Sequence, residues 1–74
     1  MQRAELMQKY GRRLNTIFAI FATNKERRAL GKATSDPNRM FLVKTNALVR
    51  IVKENRGRDL VDPESGEVLI RGQV

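Results

Sequence analysis

Asp36-Pro37-Asn38-Arg39-Met40-Phe41-Leu42-Val43-Lys44-Thr45-Asn46-Ala47-Leu48-Val49-Arg50-Ile51-Val52-Lys53-Glu54-Asn55 is the stretch on which the fold turns. Its Val, Ile and Phe content favours strand, because β-branched and aromatic side chains suit a pleated, half-buried surface. Its ends favour helix. Asp36-Pro37 sets a carboxylate N-cap before a proline at the first helical position, and Gly57 stands where helices commonly stop. Wound at about 100° per residue, Arg39, Asn46, Arg50, Lys53 and Glu54 share one side of such a helix. Phe41, Leu48, Ile51 and Val52 share the other, with Lys44 and Thr45 interrupting it. The pattern predicts one helix within residues 36–56. The alternative is an α+β fold in which residues 39–53 form two strands of a small antiparallel meander, broken at Thr45-Asn46.

On the N-terminal side, Leu6, Met7, Tyr10, Leu14, Ile17, Phe18 and Phe21 fall on one face of a helix, opposite Glu5, Lys9, Arg12, Arg13 and Thr16. A strand over 14–23 fails, since neither alternating set is cleanly apolar. Gly11 costs about 1 kcal/mol relative to Ala and marks a point for a kink. Ile20 lies on the polar side, which points to a second contact surface. Thr23-Asn24-Lys25-Glu26 has the spacing of a capping box, predicting a second helix that stops at Gly31. One continuous helix to Leu30 is the alternative. Lys32–Ser35 reads as a loop.

On the C-terminal side, Leu60-Val61 and Val68-Leu69-Ile70 flank Asp62-Pro63-Glu64-Ser65-Gly66, where proline presets a turn and glycine supplies positive φ. The expected fold is therefore mainly α, two or three helices followed by a β-hairpin at 59–71. It occupies residues 1–74 as one small basic domain, with 1–30 helical.

Seventy-four residues place the chain where a single core is only just sufficient. It has no cysteine and no histidine, so disulfides, thiolate sites and the usual zinc ligands are absent from its means of stabilisation. Assembly with other subunits is the remaining means. The same two absences remove the usual general base and the strongest nucleophile. Its only serines, Ser35 and Ser65, fall in turns, and its paired carboxylates fall in the hairpin. The expectation is a protein without catalytic activity, metal, cofactor or small-molecule substrate.

Arg3, Lys9, Arg12 and Arg13, followed by the apolar run 14–22, resemble the charged and hydrophobic regions of a targeting segment. Asn15 and Thr16 interrupt that run, and its length falls short of the roughly 20 residues a membrane span requires. The expected location is cytoplasmic, away from membranes, with organellar import as the lesser alternative.

Charge is the most informative property. The chain carries 15 Lys and Arg against 8 Asp and Glu, a net +7. Residues 1–34 hold eight basic and two acidic side chains, residues 35–58 six and two, and residues 59–74 one and four. Three basic groups stand out. Lys9, Arg12 and Arg13 lie on the first helix, and Lys25, Arg27, Arg28 and Lys32 follow the predicted break. Arg39, Arg50, Lys53, Arg56 and Arg58 line or follow the third segment. Acids look sparse among them, and ten of the fifteen are Arg, which suits bidentate phosphate contacts. These twelve residues are the expected nucleic-acid-binding set. Phe18, Ile20 and Phe21 are the expected protein-contact set, with the acidic hairpin facing away from nucleic acid or toward a neighbouring subunit.

The order of helices followed by a hairpin resembles a winged helix, which would set Arg39 and Asn46 near base edges. An acidic wing is repelled by phosphate, so that resemblance stands third. Asp59–Val68 is similar to the hairpin of transcription-factor zinc ribbons, over about ten residues and without their cysteines. With no ribonucleoprotein aromatic motif or GXXG loop, the expected mode is backbone attachment, to RNA in preference to DNA, as a basic subunit of a ribosome-like particle. A protein-binding subunit or regulator of a transcription or virion assembly is the alternative.

Overall fold

A computed structural model of the chain describes residues 2–72. It is mainly helical, with a two-stranded antiparallel sheet near the C-terminus. The elements run α1 (Arg3–Tyr10), a 3₁₀ turn (Gly11–Arg13), α2 (Leu14–Phe21), α3 (Asn24–Lys32), α4 (Pro37–Glu54), β1 (Leu60–Val61) and β2 (Val68–Ile70).

The decisive stretch is one helix, so the two-strand meander over 39–53 is corrected. The Asp36 carboxylate accepts from the backbone N–H groups of Asn38 and Arg39 at 3.1 and 3.3 Å, with Pro37 next to it, so the start is nucleated locally. Tertiary burial outweighs the β-branched content: Thr45, Ala47, Leu48 and Ile51 form a stripe buried beneath the other elements. Thr45 interrupts that stripe in sequence without cost in structure. Its hydroxyl donates to the Leu42 carbonyl at 3.1 Å and accepts from Arg3 Nη1 at 3.1 Å. Phe41, placed by the wheel on the apolar side, is half-exposed, and so is Leu42. All the buried residues of α4 lie at or beyond Thr45, and on its first turns Met40 and Val43 are half-buried while Phe41 and Leu42 face solvent.

The predicted breaks also form. At Gly11 the helical path tightens into the 3₁₀ turn, so the first segment becomes α1 and α2 rather than one rod. At Thr23 the capping box is complete: Thr23 Oγ1 accepts from Glu26 N–H at 3.1 Å, and Glu26 Oε1 accepts from Thr23 N–H at 2.8 Å. Gly31 does not end α3, which continues to Lys32. Asn55 caps α4, and the positive φ of 78° falls two residues later at Gly57.

Leu6, Leu14, Ile17, Leu48, Ile51, Leu69 and Ile70 make the core, with Tyr10, Phe21, Val52 and Leu60 among those packed on it. In the hairpin Leu60 pairs with Ile70 and Val61 with Val68, leaving one extra residue on β2. Successive residues of a regular strand face opposite ways, and this bulge is what lets Leu69 and Ile70 both be buried. A Cβ at Gly72 would run into the backbone of Gly57 and Arg58, so the chain leaving β2 lies directly on the end of the α4 connection. Among the described residues no helix is long and apolar enough to cross a membrane.

Candidate nucleic-acid interface

Helix α3 has no buried residue; only Glu26 and Leu30 are partly covered, and they face inward. Lys25, Arg28 and Lys32 lie on the opposite side, within about 60° of arc at 100° per residue. Three and then four residues apart, they form a stripe about 10 Å long at 1.5 Å rise per residue. All three are exposed, and none has a carboxylate partner among the described residues.

The one acid of this helix is turned away from them. Arg50 of α4 donates from Nε to Glu26 Oε2 at 2.7 Å and from Nη2 to Glu26 Oε1 at 2.9 Å. The same guanidinium reaches Glu54 Oε2 at 2.6 Å and the Phe21 carbonyl at 3.1 Å. The side chains of Glu26 and Arg50 are only 18% and 30% exposed, so water screens the pair incompletely. Hydrogen bonds from Arg50 hold the Glu26 carboxyl below its ordinary value, and the bonds to Glu26 raise the Arg50 guanidinium above its own. Acids are thus interleaved with the basic groups after all, Glu26 facing inward to Arg50 and Glu54 reaching the same guanidinium from an exposed position.

This pairing joins the start of α3 to the end of α4, so the two helices run antiparallel. Arg39 and Lys53 lie within about 60° of Arg50 on the α4 wheel, on the side that faces α3. Both are exposed. Lys9 and Arg12 are exposed on α1 and the 3₁₀ turn, and Arg56 and Arg58 on the connection after α4. Arg13 is held by Glu67 of the hairpin through two bonds at 2.8 and 2.5 Å.

Two further cations flank a shallow depression of about 420 Å³ between α2, α3 and α4, lined by Asn15, Phe18, Ala19, Arg27, Leu30 and Lys44. Arg27 Nη2 donates to the Ala19 carbonyl at 2.7 Å, and Lys44 Nζ donates to Asn15 Oδ1 at 2.8 Å. Lys44 and Asn15 were not among the residues expected from sequence. The available signal was Lys44 itself, a cation breaking an otherwise apolar helix face.

The expected protein-contact residues turn inward. Phe18 is 5% exposed, and Phe21 and Ile20 are half-buried against the core. The polar-side position of Ile20 has a local reason, for it lines a second depression with the hairpin turn residues Asp62, Pro63 and Glu64. The hairpin acids are largely engaged within the chain. Asp59 accepts from Gly72 N–H at 2.7 Å, Asp62 accepts from Glu64 N–H at 2.9 Å and Ser65 N–H at 3.4 Å, and Glu67 holds Arg13. No family model, curated protein or solved structure matches the chain.

Proposed function

We propose that this chain is a non-catalytic nucleic-acid-binding protein that attaches to the phosphate backbone of structured RNA, as a small subunit of an RNA–protein particle. The observation that carries this reading is the outer stripe of α3, Lys25, Arg28 and Lys32, whose only helical acid is turned inward to Arg50. Ordinary solvated helices interleave exposed acids with their bases; this one presents its cations uncompensated. Phosphate is the ligand such an array suits. Base reading through α4 has less support. Asn46 Oδ1 already accepts from Arg3 Nη1 at 2.6 Å, and the middle of α4 is the centre of the core.

Fluorescence anisotropy of a labelled, structured RNA against rising salt tests the proposal. Phosphate contacts predict a steep linear fall of log affinity with log salt, and the RNA reading predicts that duplex DNA of equal length binds more weakly. A flat salt response overturns the reading, and a preference for duplex DNA replaces RNA with DNA.

A protein neighbour has one observation in its favour: Phe41 and Leu42, consecutive residues on the first turns of α4, are each 52% exposed. Light scattering after nuclease treatment tests it. A stable oligomer free of nucleic acid supports a protein-assembly role, and a monomer opposes self-assembly.

A further inference from the structure

We infer that the depression between α2, α3 and α4 is a seat for one phosphate group, gripped between Arg27 and Lys44. This deepens the reading above and rests on it only for the source of the phosphate. The two cations line the same hollow, and each is held by a neutral oxygen rather than by a carboxylate. Their acceptors, the Ala19 carbonyl and the Asn15 side-chain amide, sit one turn apart on α2, so both side chains are oriented before any ligand arrives.

A cation on a neutral acceptor keeps its full charge. A guanidinium beside an ammonium with no acid lining the hollow is an anion site, and the guanidinium fork matches two phosphate oxygens. Lys44 supplies a point charge to a third. The Asn15 amide nitrogen is a further donor, since its oxygen faces Lys44. Phe18 and Leu30 give the hollow an apolar side, on which the sugar or base attached to that phosphate can rest. The hollow differs in this from the α3 stripe, which offers charge without concavity. The phosphate belongs either to the RNA backbone or to a free phosphorylated small molecule, and the two sources separate by experiment.

The test uses the full chain labelled with ¹⁵N, with uridine 5′-monophosphate as the small probe, uridine as the phosphate-free control and a labelled RNA hairpin as the large probe. Addition of the nucleotide is expected to shift the Asn15 side-chain amide and the Ala19 and Leu30 backbone amides saturably, while uridine leaves them in place. Arg27→Gln with Lys44→Gln abolishes those shifts. Lys9→Gln with Arg12→Gln, which removes the same charge elsewhere, retains them. RNA affinity is expected to fall about tenfold further in the first double variant than in the second, as for loss of a charge-assisted contact. If the double variant loses its helical circular dichroism, Lys44→Gln alone is compared with the same control.

Loss of the nucleotide shifts with unchanged RNA affinity supports the seat and assigns it to a free phosphorylated compound. Nucleotide shifts and RNA affinity indistinguishable between the two double variants overturn it. The broader reading is judged separately by Lys25→Gln, Arg28→Gln and Lys32→Gln together. RNA affinity that survives that triple change overturns backbone attachment through α3, whatever the outcome at the hollow.

Discussion

Helix α3 and the C-terminal hairpin carry opposite charge, and they use it in opposite directions. The hairpin segment 59–74 holds four acids and one base, yet Asp59, Asp62 and Glu67 each accept hydrogen bonds from groups within the chain. Helix α3 holds four bases and one acid, and there the acid is the group used internally. Counting charges along the sequence treats the two segments alike. Following where each charge is bonded does not, because the hairpin carboxylates cap its own turn or hold Arg13, while Lys25, Arg28 and Lys32 of α3 have no carboxylate partner among the described residues.

The comparison breaks most readily at the α3 stripe. Changing Lys25, Arg28 and Lys32 together to Gln is expected to lower RNA affinity about a hundredfold while leaving the unfolding free energy within about 1 kcal/mol, since these residues bury nothing. Anisotropy and urea denaturation on the same samples check both halves. Asp62→Asn with Glu64→Gln should alter RNA affinity less than threefold, and a larger gain would mean that the hairpin tip faces the nucleic acid.

Glu26→Gln tests the inward acid. Removing one member of a partly buried pair leaves Arg50 undercompensated, and a loss of about 2 kcal/mol at neutral pH is expected by chemical denaturation. The sign of the pH effect follows from the lowered carboxyl. Its stabilisation is present above the ordinary value of 4.5 and is lost as pH falls through the lower folded value. Wild type and variant should therefore converge in stability as the solution is acidified below 4.5. A gap that stays constant to low pH contradicts the assigned role.

Gly72→Ala probes the base of the hairpin. Its Cβ meets the backbone of Gly57 and Arg58, and the glycine N–H caps Asp59, so a loss of about 1–2 kcal/mol is expected in thermal or urea unfolding. Glu67→Gln should have the smallest effect. The Arg13 pair is 43% and 46% exposed at its two side chains, and exposed pairs contribute within about 1 kcal/mol. A larger change would mean that this pair fixes the hairpin to the helical body.

Much of the fold was legible because it rests on local chemistry. The Thr23–Glu26 box, the Asp36-Pro37 start, the turn at Gly66 and the apolar face from Leu6 to Phe21 each depend on neighbours within a few residues. What escaped depends on distance along the chain. Arg50 looks solvated on its own helix wheel and becomes an anchor only when α3 brings Glu26 beneath it, 24 residues away. Arg13 looks free until Glu67 arrives from 54 residues on. Phe41 belongs to the apolar side by periodicity but faces solvent, while Met40 and Val43 of the same turns are the ones half-buried, an arrangement that no helical wheel contains. The cationic surface was visible in the counts, whereas its division into spent and displayed charges was not.

The central claim is that the displayed cations of α3 hold phosphate. Its most direct test is the slope of log affinity against log salt for one structured RNA, measured for the wild type and for the Lys25→Gln, Arg28→Gln, Lys32→Gln variant. Each lost phosphate contact reduces the slope by roughly 0.7–0.9, so the triple variant should be shallower by about 2 to 3. Parallel lines for the two proteins would contradict the account.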